Sequence, residues 1–167
     1  MLIAIGKIVP PLRAALLPLA CSIFAATAVA DGISVKPIDD AATAKECSAC
    51  HMLYPAGLLP ARSWARLMNS LGDHFGDNAT LDDALRARIT EYLSANAGDT
   101  GGRGNKMVRD IPSDASPLRI TELPYFLRKH NKKGRIAPET LKRRGARSPS
   151  DCKACHEQAE KGFFDDD

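Results

Sequence analysis

The sequence predicts an all-α fold with long loops. No segment shows the alternation of Val, Ile or Thr with polar residues that is typical of strands. Apolar residues instead recur at helical spacing, and Gly and Pro cluster between those segments. Of the 167 residues, 44% are hydrophobic and 26% are charged, an ordinary composition for a soluble domain. Aromatic residues make up only 5%, so something besides large side chains must complete the core.

Residues 1–30 have the composition of a secretory signal peptide. A positively charged start and an apolar run precede residues 28–30, an Ala-Val-Ala sequence of the kind that signal peptidase reads. We expect cleavage before Asp31 and a periplasmic mature protein of 137 residues with four Cys. Pro18 and the shortness of the apolar run argue against a retained anchor helix, which needs about 20 apolar residues. Pro18 also argues against a lipoprotein cut at Cys21, and no later segment could span a membrane.

Three helical segments are predicted before residue 100. The first covers residues 39–51 and carries the first pair of cysteines. The second places four large apolar side chains on one helical face: Trp64, Leu67, Met68 and Leu71. The third opens at Thr80, which we expect to cap it with Asp83 in a capping box, and it stops near residues 96–98. Its apolar stripe consists of Leu81, Leu85, Ile89 and Tyr92.

The second half begins with a Gly-, Pro- and Asp-rich connection over residues 97–118. A connection of this length inside a small chain is either functional or a linker between two lobes. Proline suits the first position of a helix, so we expect helices from Pro124 to about Asn131 and from Pro138 to Arg144. A last helix is expected to begin at a Ser150 cap, to carry the second pair of cysteines and to end at Gly162.

Charge divides the mature chain into an acidic and a basic half, which we expect to be an N-terminal lobe, 31–100, and a C-terminal lobe, 101–167, of one compact unit. The first half has six basic and ten acidic residues, and the second has fifteen and ten. The basic excess lies in residues 128–147 and the chain ends in Asp165–Asp167. The run is either a solvated face or a docking surface for an acidic partner. The chain lacks the basic stripe with interleaved aromatics that nucleic-acid binding requires.

Two C-x-x-C-H motifs carry the chemistry of this sequence. Residues 47–51 read Cys-Ser-Ala-Cys-His and residues 152–156 read Cys-Lys-Ala-Cys-His. This spacing is the attachment signature of c-type haem, because two thiols on one helical turn reach the vinyl groups and the His turns its imidazole onto the iron. We therefore predict two haem c groups, with thioethers at Cys47, Cys50, Cys152 and Cys155 and iron ligands at His51 and His156. A structural zinc site or two redox disulfides are the alternatives, but neither needs a His after each pair.

The second iron ligands follow by elimination. A six-coordinate c-type haem takes His or Met as its second axial ligand, and His74 and His130 are the remaining histidines. Without haem, His74 would be a surface residue in a turn and His130 a cation at a helix C-terminus. Met107 remains a competing ligand. The distances along the chain favour the pairs His51/His74 and His156/His130, although a crossed pairing is possible. Two other methionines are weaker competitors: Met68, on an apolar stripe, and Met52, next to a motif His.

At this point the sequence resembles the bacterial dihaem cytochrome c family. The resemblance rests on residues 46–64, 74–79 and 117–122, on the run that leads to His130, and on the second motif, which together cover nearly all of the mature chain. It implies a small periplasmic electron carrier with two low-potential bis-histidine haems, whose second ligands correspond to His74 and His130. It also implies redox partners, namely a small oxygen-binding cytochrome or membrane cytochromes b.

These features favour an electron carrier that is not an enzyme. Two haems would supply the hydrophobic bulk that the aromatic-poor chain lacks. Four aromatic residues are expected to pack against them: Trp64, Phe75, Tyr125 and Phe126. One alternative is a small dihaem peroxidase or reductase, which needs an open or displaceable axial position. The others are a haem-based sensor, which needs an output domain, and a subunit of a larger redox complex. We expect a monomer or weak oligomer that binds no nucleic acid.

Overall fold

The computed structural model describes residues 32–100 and 105–164. The predicted signal peptide and the acidic residues Asp165–Asp167 lie outside these ranges. The described chain confirms the predicted all-α class with long loops. Its regular elements are α-helices α1 to α5 and two short strands, β1 and β2, with these bounds: β1 Ile33–Ser34, α1 Ala41–Cys47, α2 Ala61–Met68, α3 Asp83–Ala95, α4 Pro124–His130, α5 Pro138–Arg144 and β2 Phe163–Phe164.

Helix α1 is shorter than the segment predicted over residues 39–51. It begins after Asp40, whose carboxylate accepts a hydrogen bond from the Thr43 N–H at 2.8 Å, and it ends at Cys47. The residues that follow, Ser48 to His51, are exposed and bury no apolar face that would continue the helix. Cys50 and His51 therefore lie in the turn after α1 rather than on the helix.

Helices α2 and α3 pack against each other and form the centre of the first half. The predicted apolar face of α2 is confirmed, since Trp64, Leu67 and Met68 are buried and Leu71 is buried in the turn that follows. The Trp64 indole donates to the Ala56 carbonyl oxygen at 2.7 Å, which satisfies its one polar atom inside the core.

The predicted cap of α3 is wrong by two residues. The side chain of Asp82 accepts from the Leu85 N–H at 2.9 Å and caps the helix. Thr80 is engaged earlier, because its N–H and hydroxyl both donate to the Asn78 side chain, at 3.0 and 2.6 Å. The predicted end of the helix is confirmed at a C-cap of Asn96.

Side chains of the first half fix the long connection in place. Arg62 on α2 donates to the carbonyl oxygens of Ala115 at 2.5 Å and Pro112 at 3.0 Å. The Asn105 side chain donates to the Gly57 carbonyl oxygen at 2.7 Å, and Met107 and Val108 are buried in the core. The described part of this connection is thus packed against α2 although it contains no helix or strand.

Proline begins α4 and α5 as predicted, at Pro124 and Pro138. The predicted last helix is wrong, because the structure has two separate 3-10 turns, Cys152–Ala154 and Ala159–Lys161. Ser150 does not cap the first turn, since its hydroxyl pairs with that of Ser148 at 2.7 Å. The backbone leaves the helical region at Cys155, whose φ is −125°.

The ends of the described chain pair as a two-residue antiparallel ladder, which the sequence did not predict. Ile33 lies opposite Phe164 and Ser34 opposite Phe163. Strands of two residues are too short to show an alternating pattern. The core cluster takes side chains from both halves of the chain: Leu58, Trp64, Ile89, Met107, Leu123 and Phe126. Among the described residues, no helix is long and apolar enough to cross a membrane.

Candidate functional site

The first C-x-x-C-H motif lies where α1 gives way to a turn. Cys47 is the last residue of the helix and is partly buried, whereas Cys50 and His51 are exposed. The His51 ring donates from Nδ1 to the carbonyl oxygen of Met52 at 2.7 Å. This hydrogen bond fixes the ring and leaves Nε2 as the nitrogen with a lone pair for a metal.

A tight turn presents His74 to the first motif. His74 and Asp77 exchange backbone hydrogen bonds of 2.7 and 3.3 Å. The two residues between them, Phe75 and Gly76, have positive φ values of 60° and 104°. A positive φ is costly for Phe, so this turn holds a strained conformation next to a candidate ligand.

The structure brings His51 and His74 together. Their ring centroids are 6.2 Å apart and their planes differ by 29°. An iron–imidazole bond is about 2 Å, and the ring centroid lies about 1 Å behind the nitrogen, so two imidazoles across one iron have centroids about 6 Å apart. The spacing of this pair fits a haem iron between the two rings.

The second motif faces the C-terminal end of α4. His130 is the last residue of that helix, and its ring centroid lies 6.1 Å from that of His156, with the planes at 80°. His130 Nδ1 donates to the Phe126 carbonyl oxygen at 2.9 Å, and the Phe126 ring stacks on His130 at 3.9 Å and 12°. This pair also has the spacing of two ligands of one iron. The side of His156 is bounded by Phe164 of β2, 5.8 Å away at 68°.

A largely apolar cavity contains the second His pair. Cys152 and Cys155 line it together with both histidines, so it joins both thiols to both imidazoles. Apolar side chains cover much of its wall: Ile33, Leu58, Met107, Ile120, Tyr125, Phe126, Ile136, Leu141 and Phe164. Its charged wall residues are three cations and one carboxylate: Lys129, Arg135, Arg144 and Asp151. An apolar cavity with two thiols and two imidazoles fits a covalently attached porphyrin.

The raised pKa values of Cys47 and Cys152 argue against a redox-active role for these two thiols. Burial raises the pKa of Cys152 to about 11, and burial also raises the pKa of Cys47, with a smaller contribution from the Glu46 carboxylate. Reactive C-x-x-C motifs need the thiolate and therefore a lowered pKa. Burial lowers the pKa of His74, and neighbouring His51 lowers it further, a direction that favours the neutral imidazole required of a metal ligand.

The structure separates the methionines that compete for the second axial positions. Met68 is buried in the core on α2, as predicted. Met52 is adjacent to His51 and accepts its ring hydrogen bond through the backbone. Met107 is buried and lines the second cavity, but a pair of imidazoles at ligand spacing lies in the same cavity.

Tyr54 connects the two motifs, which sequence reasoning did not find. Its ring lies 4.9 Å from that of His51, and its hydroxyl donates to the Ser150 carbonyl oxygen at 2.8 Å, two residues before Cys152. The contact spans 96 residues of sequence, so no local pattern could indicate it. The second contact that sequence reasoning missed is the Arg119 guanidinium, which lies 4.1 Å above the Phe75 ring.

The four aromatic residues expected beside the haems divide into two groups. Phe75 is 4.9 Å from the His74 ring, and Phe126 and Tyr125 line the second cavity. Trp64 lies in the protein core, where its indole N–H donates a hydrogen bond to the Ala56 carbonyl oxygen. In the parts of the chain that the structure describes, no three His, Cys, Asp or Glu side chains converge as a metal cluster.

Comparison with known proteins matches most of the chain to one family. Residues 43–164 match the family model for dihaem cytochrome c. A diheme cytochrome c from Rhodobacter sphaeroides is 50% identical over 79% of this chain and 100% of its own, with a TM-score of 0.70. DHC purified from the same organism is 47% identical over 77% and 99%, with a TM-score of 0.60. The diheme cytochrome sb-DHC of Shewanella baltica OS155 is 40% identical over 75% and 86%, with a TM-score of 0.58. The search of curated proteins gives no match.

Proposed function

Because the chain belongs to the dihaem cytochrome c family, we propose that it is a periplasmic electron carrier whose two haems are each ligated by two histidines. Membership of the family makes it an electron-transfer haem protein with two haem c groups. The residue assignments are our proposal. Cys47 and Cys50 hold one haem and Cys152 and Cys155 the other, and the axial pairs are His51/His74 and His156/His130.

One observation supports this assignment above the others. Each motif His has a distal His at ligand spacing, with centroids 6.2 Å apart in the first pair and 6.1 Å in the second. The two pairs use all four histidines of the chain. In each pair one ring donates from Nδ1 to a backbone carbonyl oxygen, which fixes the tautomer that leaves Nε2 available to the iron.

Two imidazoles per iron favour electron transfer over bond chemistry. When bound, each haem supplies a one-electron redox centre. His74 and His130 occupy the axial positions at which an enzyme would bind a substrate, so they exclude such binding. Paired imidazoles also give lower potentials than an imidazole and a thioether, since Met/His ligation raises the potential. We therefore propose low potentials and no catalytic residue.

The proposed periplasmic location rests on the N-terminal sequence and on the cofactor. Residues 1–30 form a signal peptide that is cleaved before Asp31, and covalent haem attachment takes place outside the cytoplasm. N-terminal sequencing of the secreted holoprotein is expected to begin at Asp31. A chain that retains residues 1–30 in the membrane would overturn this part of the proposal.

The proposed partners are haem proteins, namely a small oxygen-binding cytochrome and a membrane cytochrome b. The basic run supports docking to an acidic surface, because Arg144 of α5 is exposed and lines the second cavity, and Lys129 of α4 lies in the same wall. Arg128 pairs with Asp110 at 2.7 Å, and Lys142 and Arg143 are exposed in the last turn of α5. Electron transfer to such a partner should slow as ionic strength rises. A rate that is independent of salt would contradict docking by this run.

Carbon monoxide binding tests the carrier against an enzyme. The reduced wild-type holoprotein should not bind carbon monoxide, because both axial positions of each iron are filled. His74→Ala and His130→Ala should each open one iron and bind one equivalent, which provides the positive control. Rapid binding by the wild type would contradict the carrier proposal and favour a small peroxidase or reductase.

A further inference from the structure

The two sites differ in the angle between their paired imidazole planes. The planes are at 29° for His51 and His74 and at 80° for His130 and His156. Helix α4 orients one ring of the perpendicular pair, because the Phe126 ring lies nearly parallel to His130 and the Phe126 carbonyl oxygen accepts from its Nδ1. Helix α4 thus contacts the face of the His130 ring through the Phe126 ring and its edge through the hydrogen bond from Nδ1.

The angle between ligand planes affects both the potential and the spectrum of a low-spin haem. Nearly parallel planes split the two iron d orbitals that share the ferric hole, which stabilises the ferric state and gives a rhombic electron paramagnetic resonance spectrum. Perpendicular planes leave those orbitals nearly equal in energy, which gives a strongly anisotropic spectrum and less stabilisation of ferric iron. This difference favours reduction at the C-terminal site.

The charges around the two sites act in the same direction. Among the described residues, the wall of the C-terminal cavity has three cations, Lys129, Arg135 and Arg144, and one carboxylate, Asp151. Reduction removes one positive charge from the iron centre, so nearby cations stabilise the reduced state.

The N-terminal site has more carboxylates beside it than cations. Asp73 lines the pocket beside His74, and Asp77 closes its turn. The nearby cation, Arg119, lies over the Phe75 ring and 3.8 Å from Glu122. These carboxylates favour the ferric state of this site.

We propose that the C-terminal site has the more positive potential, so that an electron entering at either haem comes to rest there. This inference rests on the proposed bis-histidine ligation. It gives the molecule a direction, from the N-terminal site toward the C-terminal site and the basic face beside it.

A potentiometric titration of the full-length holoprotein, monitored by electron paramagnetic resonance, tests the order of reduction. As the potential is lowered, the strongly anisotropic signal of the C-terminal iron should disappear first while the rhombic signal persists. Disappearance of the rhombic signal first would overturn the inference.

Two neighbouring arginines of α5 provide a matched pair of variants. Both side chains are exposed, but Arg144 lines the C-terminal cavity and Arg143, on the same helix turn, is not part of its wall. Arg144→Gln should lower the more positive potential and leave the other unchanged, and Arg143→Gln should shift it less. Equal shifts in the two variants, or a shift of the lower potential in Arg144→Gln, would overturn the role of the cavity cations.

The same samples separate this inference from the proposed function. A near-infrared band typical of methionine ligation would refute the bis-histidine assignment on which it depends. Two bis-histidine irons that are reduced in the opposite order would leave the proposed function intact and refute the proposed direction alone.

Discussion

Replacing Phe126 with leucine tests whether this side chain orients a ligand of the C-terminal iron. Phe126 is 5% exposed, and its ring stacks on His130 at 3.9 Å and 12°. Leucine retains apolar volume at this position but has no flat surface against which an imidazole can stack. The backbone hydrogen bond from His130 to residue 126 does not depend on the side chain. Phe126→Leu therefore removes a stacking contact that helps to hold the ring.

The expected cost in stability follows from those contacts. An aromatic pair contributes about 1 kcal/mol beyond the area it buries. With a small loss of packing, the free energy of unfolding of the Phe126→Leu holoprotein should fall by about 1–2 kcal/mol. Phe126→Ala removes most of the buried side chain and should cost about 3–5 kcal/mol.

Denaturant unfolding and electron paramagnetic resonance measure the two effects separately. In Phe126→Leu the anisotropic signal of the C-terminal iron should shift or broaden, and the rhombic signal of the N-terminal iron should remain. Phe163→Leu is the matched control, because Phe163 is 43% exposed and should affect neither signal. Both signals unchanged in Phe126→Leu would refute the orienting role, even if the protein were less stable.

Three further predictions concern the contacts that hold the sites in place. The Thr43 N–H and, to a lesser degree, Arg88 lower the pKa of Asp40 from 3.8 to about 2. The ionised carboxylate therefore stabilises the fold above pH 3.8, and this contribution is lost as the pH falls to about 2. Asp40→Asn still caps α1 but cannot titrate. In acid unfolding, the wild type should therefore lose stability relative to Asp40→Asn between pH 3.8 and about 2. Stability curves of the two proteins that stay parallel over this range would contradict the prediction. In Arg62→Lys, the lysine cannot make both carbonyl hydrogen bonds of the guanidinium, so the free energy of unfolding in denaturant should fall by about 1–2 kcal/mol. An unchanged unfolding midpoint would show that other contacts hold the long connection. Gly162→Ala should lower the free energy of unfolding by more than about 1 kcal/mol in thermal unfolding, because φ is 83° and a Cβ would meet the Val35 carbonyl oxygen. A variant that melts at the same temperature as the wild type would show that the backbone relaxes at this position.

Local signals in the sequence predicted the helices that begin with proline or carry a strong apolar face. Pro124 and Pro138 each occupy the first position of a helix, because proline lacks the N–H that would be unpaired there. The buried face of α2 follows from 3.6-residue spacing alone. The distances along the chain also predicted which histidines would be neighbours, and the structure places those rings in pairs, while ligation itself stays a prediction.

Features that depend on competition between side chains or on distant contacts were not predicted. Asn78 takes the hydrogen bonds of Thr80, so the cap of α3 moves to Asp82. The last segment has helix-like signals at both ends, but its backbone departs from the helix at Cys155. Tyr54 reaches Ser150 across 96 residues, and this contact arises only when the two halves of the chain pack together.

Near-infrared magnetic circular dichroism of the oxidised secreted protein tests the central claim most directly. The charge-transfer band of a low-spin ferric haem reports its two axial ligands, and thioether ligation moves this band to longer wavelength than two imidazoles do. We predict bands from two irons, both at the bis-histidine position. A methionine-type band from either iron, or a band from one iron only, would contradict the assignment of all four histidines as axial ligands.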